Sequence, residues 1–514
     1  MATKLLMLVI FFAIMVSVGI YARKHATSVD GYVLGGRSVG PWLTAFAYGT
    51  SYFSAVVFVG YAGQFGWKYG LASTWIGLGN AIIGSLLAWV VLGRRTKVMT
   101  QHLNSKTMPD FFGERYESKA LKITASAIVF IFLVPYTASV YNGLSRLFGM
   151  AFNIPYKYCV IGMAVFTGIY VILGGYMATA INDFIQGIIM LGGIVAVILA
   201  VLNGQGGFIQ EIKTMAEIPS DVPVTMGQPG AFTSFFGPDP LNLLGVVILT
   251  SLGTWGLPQM VQKFYAIDNE DSIKKGTIIS TIFALVVSGG CYFLGGFGRL
   301  FSDKIDIAAN GYDSIIPTML ENLHPLLIAL VVILVLSASM STLSSLVIAS
   351  SSTLTIDLIK DNVVKNMSDK KQVLCIRVLI VIFIAISAII AVIQYKSAVT
   401  FIAQLMGISW GALAGSFLAP FLYSLYWKKT TKAACWTSFV FGCMIMVLNL
   451  VAGSHFPALL QSPINCGAFA MLTGLIIVPV VSLFTKKPDA ALIENTFACY
   501  DKTSTVTQKT ALGK

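Results

Sequence analysis

Long apolar runs alternate with short polar segments from one end of the chain to the other. About 20 apolar residues suffice for a helix to cross the roughly 30 Å hydrocarbon layer of a bilayer. Thirteen runs meet that length, at roughly 4–22, 41–65, 71–93, 122–150, 157–178, 184–204, 240–265, 276–300, 325–352, 373–394, 398–426, 433–452 and 464–485. The first has the length of a secretory leader. It lacks a strongly basic start and a small-x-small cleavage site, and Arg23, Lys24 and His25 follow it, so a retained span is expected.

Three spans depart from the pattern. The second carries Gly49, Thr50, Ser51 and Ser54 at its centre, and the seventh carries Gly253, Thr254, Gly256 and Pro258. Glycine and proline weaken a helical ladder, and a proline removes one N–H outright. In lipid the freed backbone groups must be satisfied internally or line a cavity. Each interrupted span opens a group of five, which predicts inverted repeats over spans 2–6 and 7–11. The ninth span holds LSASMSTLSSLVIASSS, Leu336 to Ser352, where Ala338, Ser341, Thr342 and Ser345 share one helical face. A face of small residues and hydroxyls serves either close helix packing or a hard cation.

Composition agrees with this reading: 56% of the 514 residues are hydrophobic and 11% charged, against about a quarter charged in a soluble domain. The net charge of +12 does not suggest nucleic acid. With the N-terminus outside, most of the 34 basic residues fall in inner segments, including Arg94, Arg95, Lys97, Lys263, Lys274, Lys275, Lys428 and Lys429. The outer loop 205–239 holds one lysine against Glu211, Glu217, Asp221 and Asp239. The positive-inside rule then gives N-out, C-in and an odd number of spans. The seven cysteines are scattered without metal-ligand spacing, as free thiols acting as small apolar residues. The four histidines make no constellation, and there is neither a nucleophile–base pair nor a phosphate-binding loop, so an enzyme is not expected.

Several strings, in order and spacing, resemble the sodium:solute symporter family, and within it the bacterial sodium/proline symporters. They are DGYVLGGRSVGPWLTA from Asp30, STWIGLGN from Ser73, MPDFFGERYESK from Met108, GIYVILGGYMA from Gly168, NDFIQ from Asn182, LPQMVQKFYAID from Leu257, SASMSTLSS from Ser337 and GALAGSFLAPFLYSLYW from Gly411. The resemblance implies an all-α polytopic membrane protein with a LeuT-like five-plus-five inverted repeat and about 13 transmembrane helices. Its parts would be 1–40, an extra helix and inner loop; 41–426, the transport core with repeats about 41–204 and 240–426; 427–485, two further helices; and 486–514, a cytoplasmic tail.

What the resemblance implies for function is sodium-coupled import of a small organic solute across the plasma (inner) membrane by alternating access. One sodium would be held by carbonyls of Thr50, Phe53 and Ala338 and hydroxyls of Ser341 and Thr342; the alternative for Ser341 and Thr342 is helix packing. A second sodium, found in some members, would use Asp183, Ser344 and Ser345 with Ser341; here the alternative for Asp183 is an N-cap of span 6. The solute would meet Tyr48, Tyr52, Ser54, Ala55, Asn80, Tyr136, Tyr141, Thr254, Trp255 and Gln259. Arg146 is expected to snorkel to the outer interface. The middle of span 4 reads FLVPYTAS without arginine, which counts against sialic acid.

Proline or another small amino acid is the leading solute, with a monocarboxylate, a pantothenate-like acid or a polyol as alternatives. The chain departs from the proline transporters at Tyr52, where they carry an acidic residue, at Ser54-Ala55-Val56 for Ser-Gly-Trp, and at Leu257-Pro258 for Gln-Pro. A membrane ligand sensor is the competing class, disfavoured because no kinase or receiver region follows; a passive channel would show uptake independent of sodium.

Overall fold

The computed structural model describes residues 2–204, 206–364, 367–397 and 402–501. The expected start of span 11 at 398–401, and positions 502–514 of the tail, lie outside the described residues. All regular elements among them are helical; one isolated parallel bridge, Val39 to Ile267, is the sole strand-like pairing.

The polarity of the fold is inverted relative to a water-soluble bundle. Ile278, Ile282 and Leu285 on the helix Glu270–Gly295, and Leu374, Val378 and Val381 on Asp369–Ser397, are exposed at helical spacing. Meanwhile every serine from Ser337 to Ser352 in the helix Pro325–Thr353 is buried. Apolar stripes outside and hydroxyls inside fit a surround of lipid.

Among the described residues, 11 helical stretches are long and apolar enough to cross a membrane. Two of these, Val56–His102 and Tyr156–Asn203, run to 47 and 48 residues, more than twice what one crossing needs. The second holds expected spans 5 and 6, and the turn between them is a single residue. Gly175 has φ 55° and ψ −148° inside the otherwise helical stretch Tyr156–Gly204. A Cβ there would stand 2.8 Å from the Tyr32 carbonyl, so both the positive φ and the close approach call for glycine. The boundary expected near Asp183 is therefore about two turns late, and Asp183 lies inside a helix rather than at its cap.

Both interrupted spans break. The first helix, Pro41–Tyr52, starts with proline where a missing N–H costs nothing. Phe53 is extended at φ −94° and ψ 121°, and the chain resumes as helix at Val56. Ser54 caps the second half: its Oγ accepts from Val56 N at 3.2 Å. Ala55 N donates across the bundle to Ser339 Oγ at 3.2 Å. The second interrupted span runs Pro240–Leu252, tightens through Gly253–Trp255, and restarts as Pro258–Ala266. Leu257 is extended at φ −85° and ψ 120°, as expected of a residue before proline. The two broken helices are tied together where Val39 N donates to Ala266 O at 3.2 Å and accepts, through its carbonyl, from Asp268 N at 3.1 Å.

Arg146 does not simply snorkel; its Nε stands 3.5 Å from Asp313 Oδ2. Part of the polar tail is structured as well. The helix Ala490–Asp501 returns to the core, where Tyr500 donates to Arg95 O at 3.1 Å and its ring takes the Arg95 guanidinium at 4.6 Å.

The long loop 206–239 is held through Asp221 by one arginine. Arg299 makes a bidentate pair with Asp221 at 2.7 and 2.8 Å and lies over the rings of Trp67 and Phe232. Hydrogen bonding from Arg299 holds the Asp221 carboxyl below its ordinary value. A lowered carboxyl pKa stabilises the folded loop above the unfolded pKa, about 3.9, and that contribution is lost as pH falls through the folded value. Limited proteolysis between Val222 and Gly230 should therefore stay slow from pH 8 to 5 and accelerate below about pH 4. Arg299→Gln should give the fast cleavage already at pH 7; equal rates in both proteins at pH 7 would refute the tether.

Candidate ion and solute site

The first break faces the serine-rich helix. Thr342 Oγ1 lies 3.3 Å from Thr50 O, 3.2 Å from Phe53 O and 3.1 Å from Ala338 O. Ser341 Oγ lies 2.7 Å from Thr50 Oγ1. All five residues predicted for the first sodium thus converge, and all are buried. The arrangement is rich in acceptors. A threonine hydroxyl has one proton and three carbonyls surround it, so at most one is satisfied by that proton at a time. Surplus oxygens without an ionised carboxylate suit a hard monovalent cation. Two of the carbonyls lie at the break, where extended Phe53 interrupts the helical ladder.

The positions expected for a second sodium lie one turn further along the same helix. Ser345 Oγ is 2.7 Å from Ser51 Oγ. Ser344 Oγ donates to Ser341 O at 2.8 Å, within its own helix. Asp183 is fully buried, and its carboxylate has Ser341 and Lys263 as polar neighbours, without a well-formed hydrogen bond among the described residues. The residue that joins these groups is Lys263. The sequence reading placed it among inner-loop cations; in the structure it is 2% exposed. Its Nζ donates to Ser345 Oγ at 3.0 Å and stands 4.0 Å from Asp183 Oδ2.

The ten residues expected around the solute divide by whether their polar atoms are already bonded. Tyr48 donates to Gly84 O at 2.7 Å, Thr254 to the same carbonyl at 3.0 Å, and Trp255 Nε1 to Ile83 O at 2.9 Å. These three pin both broken helices to the helical stretch that starts at Asn80. Asn80 is bonded to Ser288 and Ser251, each at 3.0 Å. Ser54 and Ala55 serve the cap and the contact to Ser339 described above. Tyr52, Tyr136, Tyr141 and Gln259 remain, all buried; among the described residues their side-chain polar atoms make no well-formed hydrogen bond, with Ser288 near the Tyr52 hydroxyl and Ser54 and Trp410 near that of Tyr136.

Tyr52 and Tyr136 meet at a residue the sequence reading missed. The Trp410 ring lies 5.7 Å from Tyr52 and 5.8 Å from Tyr136, centroid to centroid. It also packs 3.0 Å from where a Cβ on Gly253 would stand, beside the second break. Its Nε1, too, is buried and makes no well-formed bond among the described residues. Buried indole N–H and phenol O–H groups normally find partners. Three donors without a well-formed bond among the described residues gather in one aromatic cluster between the two breaks, a candidate place for a polar ligand.

Comparison with known proteins agrees with this architecture. The chain is 30% identical over 500 residues to the sodium/proline symporter of Staphylococcus aureus, covering 94% of this chain and 93% of that protein. It is 28% identical over 486 residues to the osmoregulated proline transporter OpuE of Bacillus subtilis, covering 94% of this chain and 95% of that protein. A solved Na+-coupled sialic acid symporter in a substrate-bound outward-open state superposes with a TM-score of 0.74 at 15% identity, over 95% of this chain and 98% of that one, which establishes the LeuT-type fold. The sodium:solute symporter profile matches residues 32–442, and the chain belongs to the sodium:solute symporter family.

Proposed function

We propose that this symporter imports proline or another small amino acid with sodium, by alternating access through thirteen crossings with the N-terminus outside. The observation that carries the solute reading is the cluster of Tyr52, Tyr136 and Trp410. It offers buried donors and aromatic faces but no ionised side chain of its own. A zwitterion with a compact apolar body suits it: the ring or chain packs on the aromatics, and the carboxylate takes these donors. Relatives named for proline transport support the same solute.

Sodium held by Thr50, Phe53, Ala338, Ser341 and Thr342 would bridge the first broken helix to the serine-rich helix. That holds the pocket wall in place before solute arrives. Because coupling between two bound ligands is reciprocal, sodium and solute raise each other's affinity by the same factor. Inward movement of each sodium gains about 2.3 kcal/mol per 100 mV. The deciding measurement is uptake of radiolabelled L-proline, other amino acids, monocarboxylates and vitamins into proteoliposomes. The expected result is proline accumulation that needs an inward sodium gradient and collapses without it. Sodium-driven accumulation of a monocarboxylate instead would move the solute class, and sodium-independent uptake would overturn symport.

A further inference from the structure

We propose that the Lys263 ammonium is the resident cation of the second site, so that the transporter binds one sodium per cycle and not two. The inference rests on the sodium-symport reading above and extends it to stoichiometry.

The geometry is that of an occupied cation site. Lys263 projects from the second half of the second broken helix, Pro258–Ala266. Its Nζ reaches Ser345 Oγ at 3.0 Å, Asp183 Oδ2 at 4.0 Å and the Tyr176 ring at 5.0 Å from the centroid. Ser345 is bonded in turn to Ser51 of the first broken helix at 2.7 Å. The ammonium therefore collects a carboxylate and an aromatic face from the helix that follows Gly175 and a hydroxyl from the serine-rich helix, and joins both to its own. Those are the elements a second sodium would have to draw together, and the cluster already has its positive charge.

Charge balance argues the same way. Asp183 and Lys263 are the ion pair of this buried cluster, and together they are neutral. A sodium placed among Asp183, Ser344 and Ser345 would stand within a few ångströms of the ammonium. It would add an unpaired positive charge in a setting where water screens poorly. The first site is built of neutral oxygens from its five residues, with the Asp183 carboxylate beside Ser341 and no ammonium in hydrogen-bond contact with those five among the described residues. A tethered ammonium differs from a bound ion in one functional respect. It closes the link between the second broken helix and the serine-rich helix without being carried through the membrane, so it adds nothing to the ion-driven free energy of uptake.

The test is equilibrium binding of 22Na+ to purified full-length protein, which needs no knowledge of the solute. Wild type should bind one sodium per chain with a Hill coefficient near 1. Lys263→Gln, which removes the ammonium and leaves Asp183, should bind two. Lys263→Gln combined with Asp183→Asn should return to one, and its neutral pair guards against loss of folding in the single variant. Two sodium ions bound by wild type would overturn the proposal, as would a folded Lys263→Gln protein that still binds one. Wild type that binds none would instead remove the sodium-symport reading, and this inference with it.

Discussion

Thr342→Ala raises the sodium concentration for half-maximal uptake by about tenfold or more, while the amount of protein in the membrane changes little. Hydrogen bonds and ligations to charged partners are worth about 1.5–3 kcal/mol each, and about 1.4 kcal/mol is a factor of ten in affinity. Thr342 is the residue that faces both halves of the site, with Thr50 and Phe53 carbonyls on one side and Ala338 on its own helix. Thr342→Ser keeps the hydroxyl and should restore most of the sodium affinity. The readouts are sodium-activation curves of uptake at fixed solute, with immunoblotting of membranes. If uptake and abundance fell in parallel, with an unchanged sodium curve, the hydroxyl would be a helix-packing group. Reciprocity supplies a further check: at low sodium, the same variant should show weakened solute binding, and saturating sodium should rescue it.

The parts of this site that were legible in the sequence are those encoded by local chemistry. Breaks were readable because Gly253, Gly256 and Pro258, or Gly49 with Ser51 and Ser54, are poor helix interiors at span centre. Hydroxyls at Ser341 and Thr342 stood out because polar atoms in an apolar run need a reason. What stayed hidden depends on partners far away in the chain. Lys263 reads as an inner-loop cation unless it is known that Asp183 and Ser345 wait for it across the bundle. Trp410 reads as one more aromatic in an apolar span until Tyr52 and Tyr136 are seen against it. Asp183 reads as a cap because a polar stretch suggests a helix boundary there, whereas the turn is made by the φ of Gly175. The same distance effect applies to Tyr48, Thr254 and Trp255: they sit in the right spans, and only tertiary structure shows that their polar atoms are taken by the carbonyls of Ile83 and Gly84.

Variants around Trp410 separate the proposed solute pocket from the proposed sodium site most sharply. Trp410 stands between Tyr52 and Tyr136, and its indole N–H makes no well-formed bond among the described residues, with Tyr136 as its polar neighbour. Trp410→Ala removes both an aromatic wall and a donor, at a fully buried position. Loss of a buried tryptophan costs about 3–5 kcal/mol in a packed core, so this variant is expected to lose uptake partly through folding. Tyr52→Phe and Tyr136→Phe avoid that ambiguity. Each deletes one hydroxyl and leaves the ring in place, losing only a loose contact, to Ser288 for Tyr52 and to Ser54 and Trp410 for Tyr136. Where the hydroxyl contacts solute, its loss should raise KM for solute by about tenfold, the cost of one hydrogen bond to a charged group. Sodium binding without solute should stay within about twofold of wild type, because no sodium-site oxygen comes from these side chains. Solute KM unchanged in both variants would empty this cluster of its role and move the pocket toward Tyr141 and Gln259. A large loss of solute-free sodium binding would instead place the tyrosines in the ion site. Unchanged sodium binding with raised solute KM is the pattern in which the breaks serve two ligands side by side: carbonyls toward the serine-rich helix for sodium, and aromatics with loosely held donors toward Trp410 for the amino acid.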